Sequence, residues 1–374
     1  MIDVIINKGI NNRDYLKFLK YLILIKIQLQ ERVFRDIILI NSMSEPKLIF
    51  TIFTYDKNSG GNSIVPNMIK HINKLFNEPV IYTYILFQGD ELKNISSKKD
   101  YLEAMYAYEE KYLPIAKPYM IENKNNIAIY PEGVLRNPFS FKNIVRFNFY
   151  FNIYEPNVDN EYNIFFINSF YKLYNHIREL YGVRRIENIK YYSNTNINYF
   201  YNLNYVLERC KDYELIRNAS CYTIRKGLVH PHIRQLNTRE YLNYHHVDSY
   251  EIKHENSNPD DLCEIFNKYK YFYSYDGFSF LSCIASLCGC ISVIVPFSGF
   301  NSISEFNDNE YFVNGIAYGD SDEQITHAIN TKDKLREALV KVKDKNYDEE
   351  LKDMVYAIYN NFNYKPPILK KELL

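Results

Sequence analysis

Tyr271-Phe272-Tyr273-Ser274-Tyr275, Asp276-Gly277-Phe278-Ser279, Phe280-Leu281-Ser282-Cys283-Ile284-Ala285-Ser286-Leu287 and, past Gly289, Cys290-Ile291-Ser292-Val293-Ile294-Val295-Pro296 decide the fold of this chain. The first run is aromatic and of strand length, and the polar tetrad carries turn residues. The third run is small and apolar at helix length, and Gly289 sits where a residue without Cβ ends a helix in the left-handed conformation. The last is an apolar, β-branched run closed by Pro296. Strand, turn, helix, cap and strand in that order make a βαβ unit with parallel strands.

The same grammar extends in both directions. Upstream, Ser220 to Lys226 reads as a strand ending in two cations and Gly227, and Leu262 to Lys268 as helical. In the first half, Pro46 to Tyr55 is a continuous apolar run of strand length, Asp56 to Asn62 a polar loop holding Gly60-Gly61, and Ser63 to Phe76 a helix. Its apolar positions are Ile64, Met68, Ile69, Ile72, Leu75 and Phe76. Val80 to Phe87, Ile127 to Tyr130 and Ile164 to Ile167 follow as strands; Tyr101 to Tyr112, Asn143 to Phe151 and Ser169 to Tyr181 as helices. The last helix is Asp348 to Asn361, ahead of Pro366-Pro367. The fold class expected is therefore α/β, with two Rossmann-like domains facing each other across a cleft. The division expected is a helical extension over 1–46, a first domain over 47–205, a second over 206–347, and a C-terminal helix and tail over 348–374.

Composition bounds the function. The chain has 374 residues with 45 Lys+Arg against 45 Asp+Glu, so its formal net charge is zero. That gives no electrostatic reason to expect nucleic acid as a partner. The chain holds 37 Tyr, 24 Phe and 43 Asn but 12 Gly and no Trp. An AT-rich genome explains that bias, so abundant Tyr and Asn carry little functional weight and the scarce glycines carry more. The N-terminus has no basic region followed by an apolar core, so no signal peptide is expected. Tyr15 to Gln30 is broken by Lys17, Lys20 and Lys26 and is too short and charged to span a bilayer. It reads as an amphipathic helix packed on its own protein, with a homo-oligomer or peripheral membrane contact as the alternative. All six cysteines lie in the second half with no CxxC spacing, and a reducing, cytoplasmic setting is the simplest reading.

Ligands of open α/β sheets gather beyond the carboxyl ends of the strands, at helix N-termini. Asp276, Gly277, Phe278, Ser279 and Phe280 hold that position. Their backbone amides suit a phosphate, Asp276 suits a sugar hydroxyl, and Ser279 suits either a phosphate or the cap of a core helix. Arg225 and Lys226 end a buried strand, where a fork-shaped and a point-charge donor together suit a diphosphate. Strand alternation sends their side chains to opposite faces, so a surface salt bridge is the competing reading. Gly60 and Gly61 allow close approach of a substrate to the backbone. Neither GxGxxG nor GxxxxGK[ST] is present, which disfavours a dinucleotide fold and a P-loop. Glu132 and Asp56, after strands of the first half, are the candidate general bases. His230, His232, His245, His246 and Asp248 fall in irregular sequence without a helical ligand frame, so solvent-exposed loop histidines are expected and no metal.

Ile129 to Arg146 and Phe272 to Pro296, with Asp56 to Gly61, Cys221 to Gly227 and Gly315 to Gly319, resemble glycosyltransferases of the GT-B type found in large DNA viruses of algae and amoebae and in some bacteria. The resemblance implies a nucleotide-diphosphate sugar as co-substrate, held by Arg225, Lys226 and 277–280 and faced by Gly60 and Gly61. It implies a glycan, lipid or protein acceptor, no bound cofactor and no metal for catalysis. Many retaining members carry an E-x7-E pattern, whereas here Asp276 takes roughly the first position and Cys283 stands seven residues later. With the AT-rich composition, the resemblance implies a viral source and a place in host cytoplasm or virion. Two other readings remain: a catalytically inactive shell that binds glycan as a scaffold, and a nucleotide-sugar epimerase.

Overall fold

The computed structural model describes residues 45–53, 60–86, 113–131, 134, 137–148, 162–165, 189–192, 203–213, 216–224, 244–253, 259–276, 279–296 and 310–370. The expected helices over 15–30, 101–112 and 169–181 lie outside them. The protein is α/β, with two sheets in which every strand pair with an assigned register is parallel. By chain contacts it divides into two compact units, one of Met1–Thr54, Ile69–Val145 and Val355–Leu374, the other of Tyr55–Met68 and Arg146–Met354. No helix among the described residues is long and apolar enough to cross a membrane.

The first sheet has the strand order β2-β1-β3-β4-β5-β6. β1 (Leu48–Phe53), β2 (Ile81–Leu86) and β3 (Ile127–Pro131) are the apolar runs that the sequence marks as buried strands, and β1 pairs in parallel with both others. Leu48, Ile49, Phe50, Ile127, Ala128 and Ile129 are wholly buried, as strands covered on both faces must be. Helix α1 (Gly60–Leu75) begins three residues earlier than the sequence suggests. It buries the expected stripe of Met68, Ile69, Ile72 and Leu75. Asn143 to Phe151 reads as a helix in sequence, but Asn143–Asn148 is strand β4. Ile144-Val145 is β-branched and Phe147 aromatic, residues that fit a pleated surface better than a helix, and Val145, Arg146 and Phe147 are all buried. β5 (Tyr162–Phe165) lies two residues ahead of the expected strand and pairs with β6 (Ile189–Tyr192). Between β2 and β3 lies the short helix α2 (Pro118–Glu122).

The second sheet has the order β11-β10-β9-β7-β8 and is parallel throughout. Its strands are β7 (Asn218–Thr223), β8 (Tyr250–Glu251), β9 (Tyr269–Ser274), β10 (Ile291–Ile294) and β11 (Ile316–Tyr318). Helices α3 (Leu203–Arg209), α4 (Pro259–Phe266) and α5 (Phe280–Leu287) share its apolar core, which includes Val206, Leu262, Phe272, Ile284, Val293 and Ala317. Helices α6 (Glu310–Val313), α7 (Asp322–Asn330) and α8 (Lys332–Asp344) follow, then α9 (Asp348–Asn361).

Helix α5 has the bounds read from sequence, and its ends show why. Ser279 Oγ accepts from the Leu281 N–H at 3.3 Å, an N-cap. At the other end Gly289 takes φ +91°, its N–H donates to the Ser286 carbonyl, and the Cys290 N–H donates to the Ala285 carbonyl, both at 3.0 Å. That pair of bonds is the Schellman arrangement, which needs a left-handed residue. Space requires glycine as well, because a Cβ there would lie 2.4 Å from the Asp212 carboxyl carbon. That carboxylate is held by Arg217 at 2.7 Å and Lys332 at 2.6 Å. With side chains 9% and 22% exposed, Arg217–Asp212 is screened far less than Lys268–Glu264 at 60% and 71%. Substituting Gly289→Ala is expected to destabilise the protein by roughly 2–4 kcal/mol, left-handed strain plus overpacking. A urea titration showing less than half a kcal/mol would refute this role for Gly289.

Candidate functional site

In the second sheet, the chain runs from β7 to β8 on one side and then returns to β9, on the other side of β7, before continuing outward through β10 to β11. The topological switch point therefore lies between β7 and β9, and a crevice beyond their carboxyl ends is where such sheets take ligands. The edge is well ordered by backbone bonds that extend the ladder. The Tyr275 N–H donates to the Thr223 carbonyl, Val295 to Ser274 and Gly319 to Ile294, each at 3.0 Å. Beyond β9, Tyr275 is wholly buried and Asp276 is 3% exposed. Ser279 then opens α5, and Phe280 is half-buried.

Residues 244–246, from the connection between β7 and β8, pack on this carboxyl end. The His245 ring stacks on Tyr222 of β7 with centroids 3.7 Å apart, and its Nδ1 lies 2.6 Å from the Tyr275 hydroxyl. The His245 backbone N–H also donates to that hydroxyl at 3.2 Å. Burial pushes the Tyr275 phenol up to about 12, so it keeps its proton at neutral pH. With the oxygen already accepting the backbone N–H, the phenol's own proton is best spent on Nδ1. That places the imidazole proton on Nε2. Burial, aided by the neighbouring His246, lowers the His245 pKa, while Glu251 opposes this. Next to it, Tyr244 donates to Asp320 Oδ1 at 2.9 Å and accepts from the Asp320 N–H at 3.1 Å. Gly319 sits beneath at φ +81°, where a Cβ would come within 3.2 Å of the Tyr244 hydroxyl. The arrangement is a neutral imidazole, three protonated phenols and two acidic side chains, Asp276 and Asp320, at one sheet edge.

The residues singled out from sequence divide into two groups. Asp276, Ser279 and Phe280 stand at the switch point, and Ser279 spends its oxygen on the N-cap. Arg225, Lys226, Gly277 and Phe278 lie outside the described residues; in sequence Arg225 comes two residues after β7 ends at Thr223, and Gly277 three after β9 ends at Ser274. The first sheet repeats the pattern, since β1 has β2 on one edge and β3 on the other. Asp56 comes three residues after β1 ends, and Glu132 one after β3; both lie outside the described residues. Gly60 and Gly61 open helix α1 instead of standing in the loop before it.

His245 was missed in the sequence, where it reads as an exposed loop histidine; the structure stacks it half-buried at the switch point. Tyr222, Tyr244 and Tyr275 were discounted with the other tyrosines, and no motif distinguishes them. The adjacent pair His245-His246 is the one signal the sequence offers. Because the folded pKa of His245 lies below its unfolded value near 6.5, both states are neutral above that pH. As pH falls through 6.5 the unfolded chain takes up a proton that the folded chain resists, and stability drops. A His245→Gln variant is expected to lose less stability than wild type between pH 7.5 and 5.5. Parallel denaturation profiles across that range would refute it.

No family model matches the chain, and no curated protein matches it.

Proposed function

We propose that the protein is a glycosyltransferase of the GT-B type, transferring a sugar from a nucleotide-diphosphate donor to a hydroxyl of a glycan, lipid or protein. The observation that carries the reading is positional. In the second sheet, Arg225-Lys226 and Asp276 to Phe280 follow the two strands that flank its switch point. Asp56 and Glu132 follow the two strands that flank the switch point of the first. In sequence these residues come just after strands whose carboxyl ends are where parallel sheets take ligands.

In this reading Arg225, Lys226 and the amides opening α5 bind the diphosphate. As the glycosidic bond breaks, the leaving group gains charge, and fixed cations with a helix N-terminus stabilise that charge without reorganising. Asp56 or Glu132 takes the proton from the acceptor hydroxyl. Asp276 accepts from a donor hydroxyl, and the enzyme works without a bound metal.

The test is a thermal-shift screen of UDP, GDP, dTDP, CMP and their sugars on wild type and Lys226→Ala. One nucleotide is expected to stabilise wild type by about 2.7 kcal/mol at a hundredfold excess over Kd, with the gain lost in the variant. Transfer assays with the sugars of that nucleotide then identify the donor. If no nucleotide shifts the protein at millimolar concentration, the donor site is refuted and a scaffold without turnover replaces it.

A further inference from the structure

Three helices bring sulfur together at the opposite end of the second sheet's core. Cys210 follows α3, its N–H bonded to the Val206 carbonyl at 2.8 Å; Cys263 lies within α4; Cys288 is the C-cap of α5. Their Sγ atoms all lie within 4.8 Å of one another, and the residues are 0%, 5% and 0% exposed. The structure joins Cys210 and Cys263 in a disulfide, where the sequence suggested thiols of a reducing compartment. A disulfide uses two sulfurs and does not account for the third.

The remaining cysteines behave differently. Cys290 Sγ donates to the carbonyls of Phe266 and Tyr269 at 3.0 and 2.9 Å, Cys283 to Tyr311 at 3.4 Å, and Cys221 to Tyr271 at 3.6 Å. They are small core residues with backbone partners. Cys288 Sγ lies against the other two sulfurs. Around the trio, Arg217 donates to the Cys288 carbonyl at 2.8 Å and Arg336 to the Cys210 and Leu207 carbonyls at 2.9 and 3.1 Å. Lys332 and Arg217 share the Asp212 carboxylate. Three cations against one carboxylate leave this surround positive, suited to a group with net negative charge.

We propose that the reduced chain binds one soft d10 metal ion on Cys210, Cys263 and Cys288, and that the disulfide is the oxidised, metal-free form of the same site. Opening the disulfide with a dithiol takes two electrons and two protons, and the dithiol leaves as its own disulfide. Binding then forms three sulfur–metal bonds and releases three protons. Three thiolates with a monovalent ion carry two net negative charges, which the surrounding cations offset. Thiolate donors select soft ions, and among the described residues no fourth His, Cys, Asp or Glu joins the cluster. Zn(II) takes four ligands in structural sites, so the donor set favours Cu(I), which accepts three. The ion ties α3, α4 and α5 together at the end of α5 remote from Ser279. This proposal is independent of the glycosyltransferase reading.

The experiment uses full-length protein reduced anaerobically with a dithiol, freed of reductant, and given Cu(I) or Zn(II) in competition with a chromogenic chelator of each. One equivalent of Cu(I) retained per chain is expected, with Cys221→Ser unchanged. Cys288→Ser is expected to lose more than the roughly 10–100-fold that loss of an outer-shell partner costs. Should that variant not fold, wild type is footprinted with N-ethylmaleimide in mild denaturant. Bound ion is expected to shield Cys210, Cys263 and Cys288 but not Cys221, Cys283 or Cys290. A disulfide that the dithiol cannot open in the folded chain, a reduced chain that yields its ion to the chelator, or uniform labelling overturns the site. Zn(II) held in preference to Cu(I) overturns the three-coordinate assignment.

Discussion

Parallel pairing of β7 with β9, in register from Asn218 opposite Tyr269 to Thr223 opposite Ser274, is the constraint on which the second unit depends. A strand offers two edges and a parallel neighbour demands a long crossover. With β8 on its other edge, β7 must send its chain one way and receive it back the other. The carboxyl ends of β7 and β9 are thereby left without a covering connection running straight between them. Tyr275, His245 and Tyr222 meet there because of the topology, although His245 stands 23 positions after Tyr222 in sequence.

The opposite end of the sheet is organised by charge. Just before β7, Arg217 donates to the carbonyls of Cys288 at 2.8 Å and Asn267 at 3.2 Å, to the Asn267 side chain at 3.0 Å, and to Asp212 at 2.7 Å. Cys288 and Asn267 follow the C-terminal turns of α5 and α4, where carbonyls lack intrahelical partners and the dipole is negative. One guanidinium thus satisfies orphan acceptors from two helices while the carboxylate beside it orients the fork. Because α5 runs from the switch point to this anchor, its N-terminus inherits the precision of its C-terminus. The cysteine trio sits at the same anchored end, so ligand chemistry and structural fastening occupy opposite ends of one helix.

Where local physics decided the outcome, the sequence was legible. α5 and Gly289 were visible because a cap, a length and a left-handed residue all agree, and α9 because its start is acidic and a Pro pair follows its end. β1 to β3 were visible because both-face burial demands unbroken apolar runs. β4 reads as a helix in sequence because Asn143, Ile144, Phe147 and Asn148 carry no clear period; its β-branched and aromatic residues tell once it pairs within the sheet. Cys210 and Cys263 stand 53 residues apart, with no spacing to mark them. His245 gains its place from a stack with Tyr222, and a bias toward tyrosine hides such partners from composition.

The two sheets begin alike, β2-β1-β3 in the first and β8-β7-β9 in the second. Each therefore has a switch point between its first and third strands, with its own ligand edge. A binding scaffold needs one such edge. A transferase must hold a donor and an acceptor, with different chemistry at each. The sequence after the second pair of strands supplies cations and a helix cap, fitted to a leaving group that gains negative charge. After the first pair it supplies carboxylates, fitted to taking a proton. In the proposed reading the cations and helix cap that follow the second pair serve the donor, and the carboxylates that follow the first serve the acceptor.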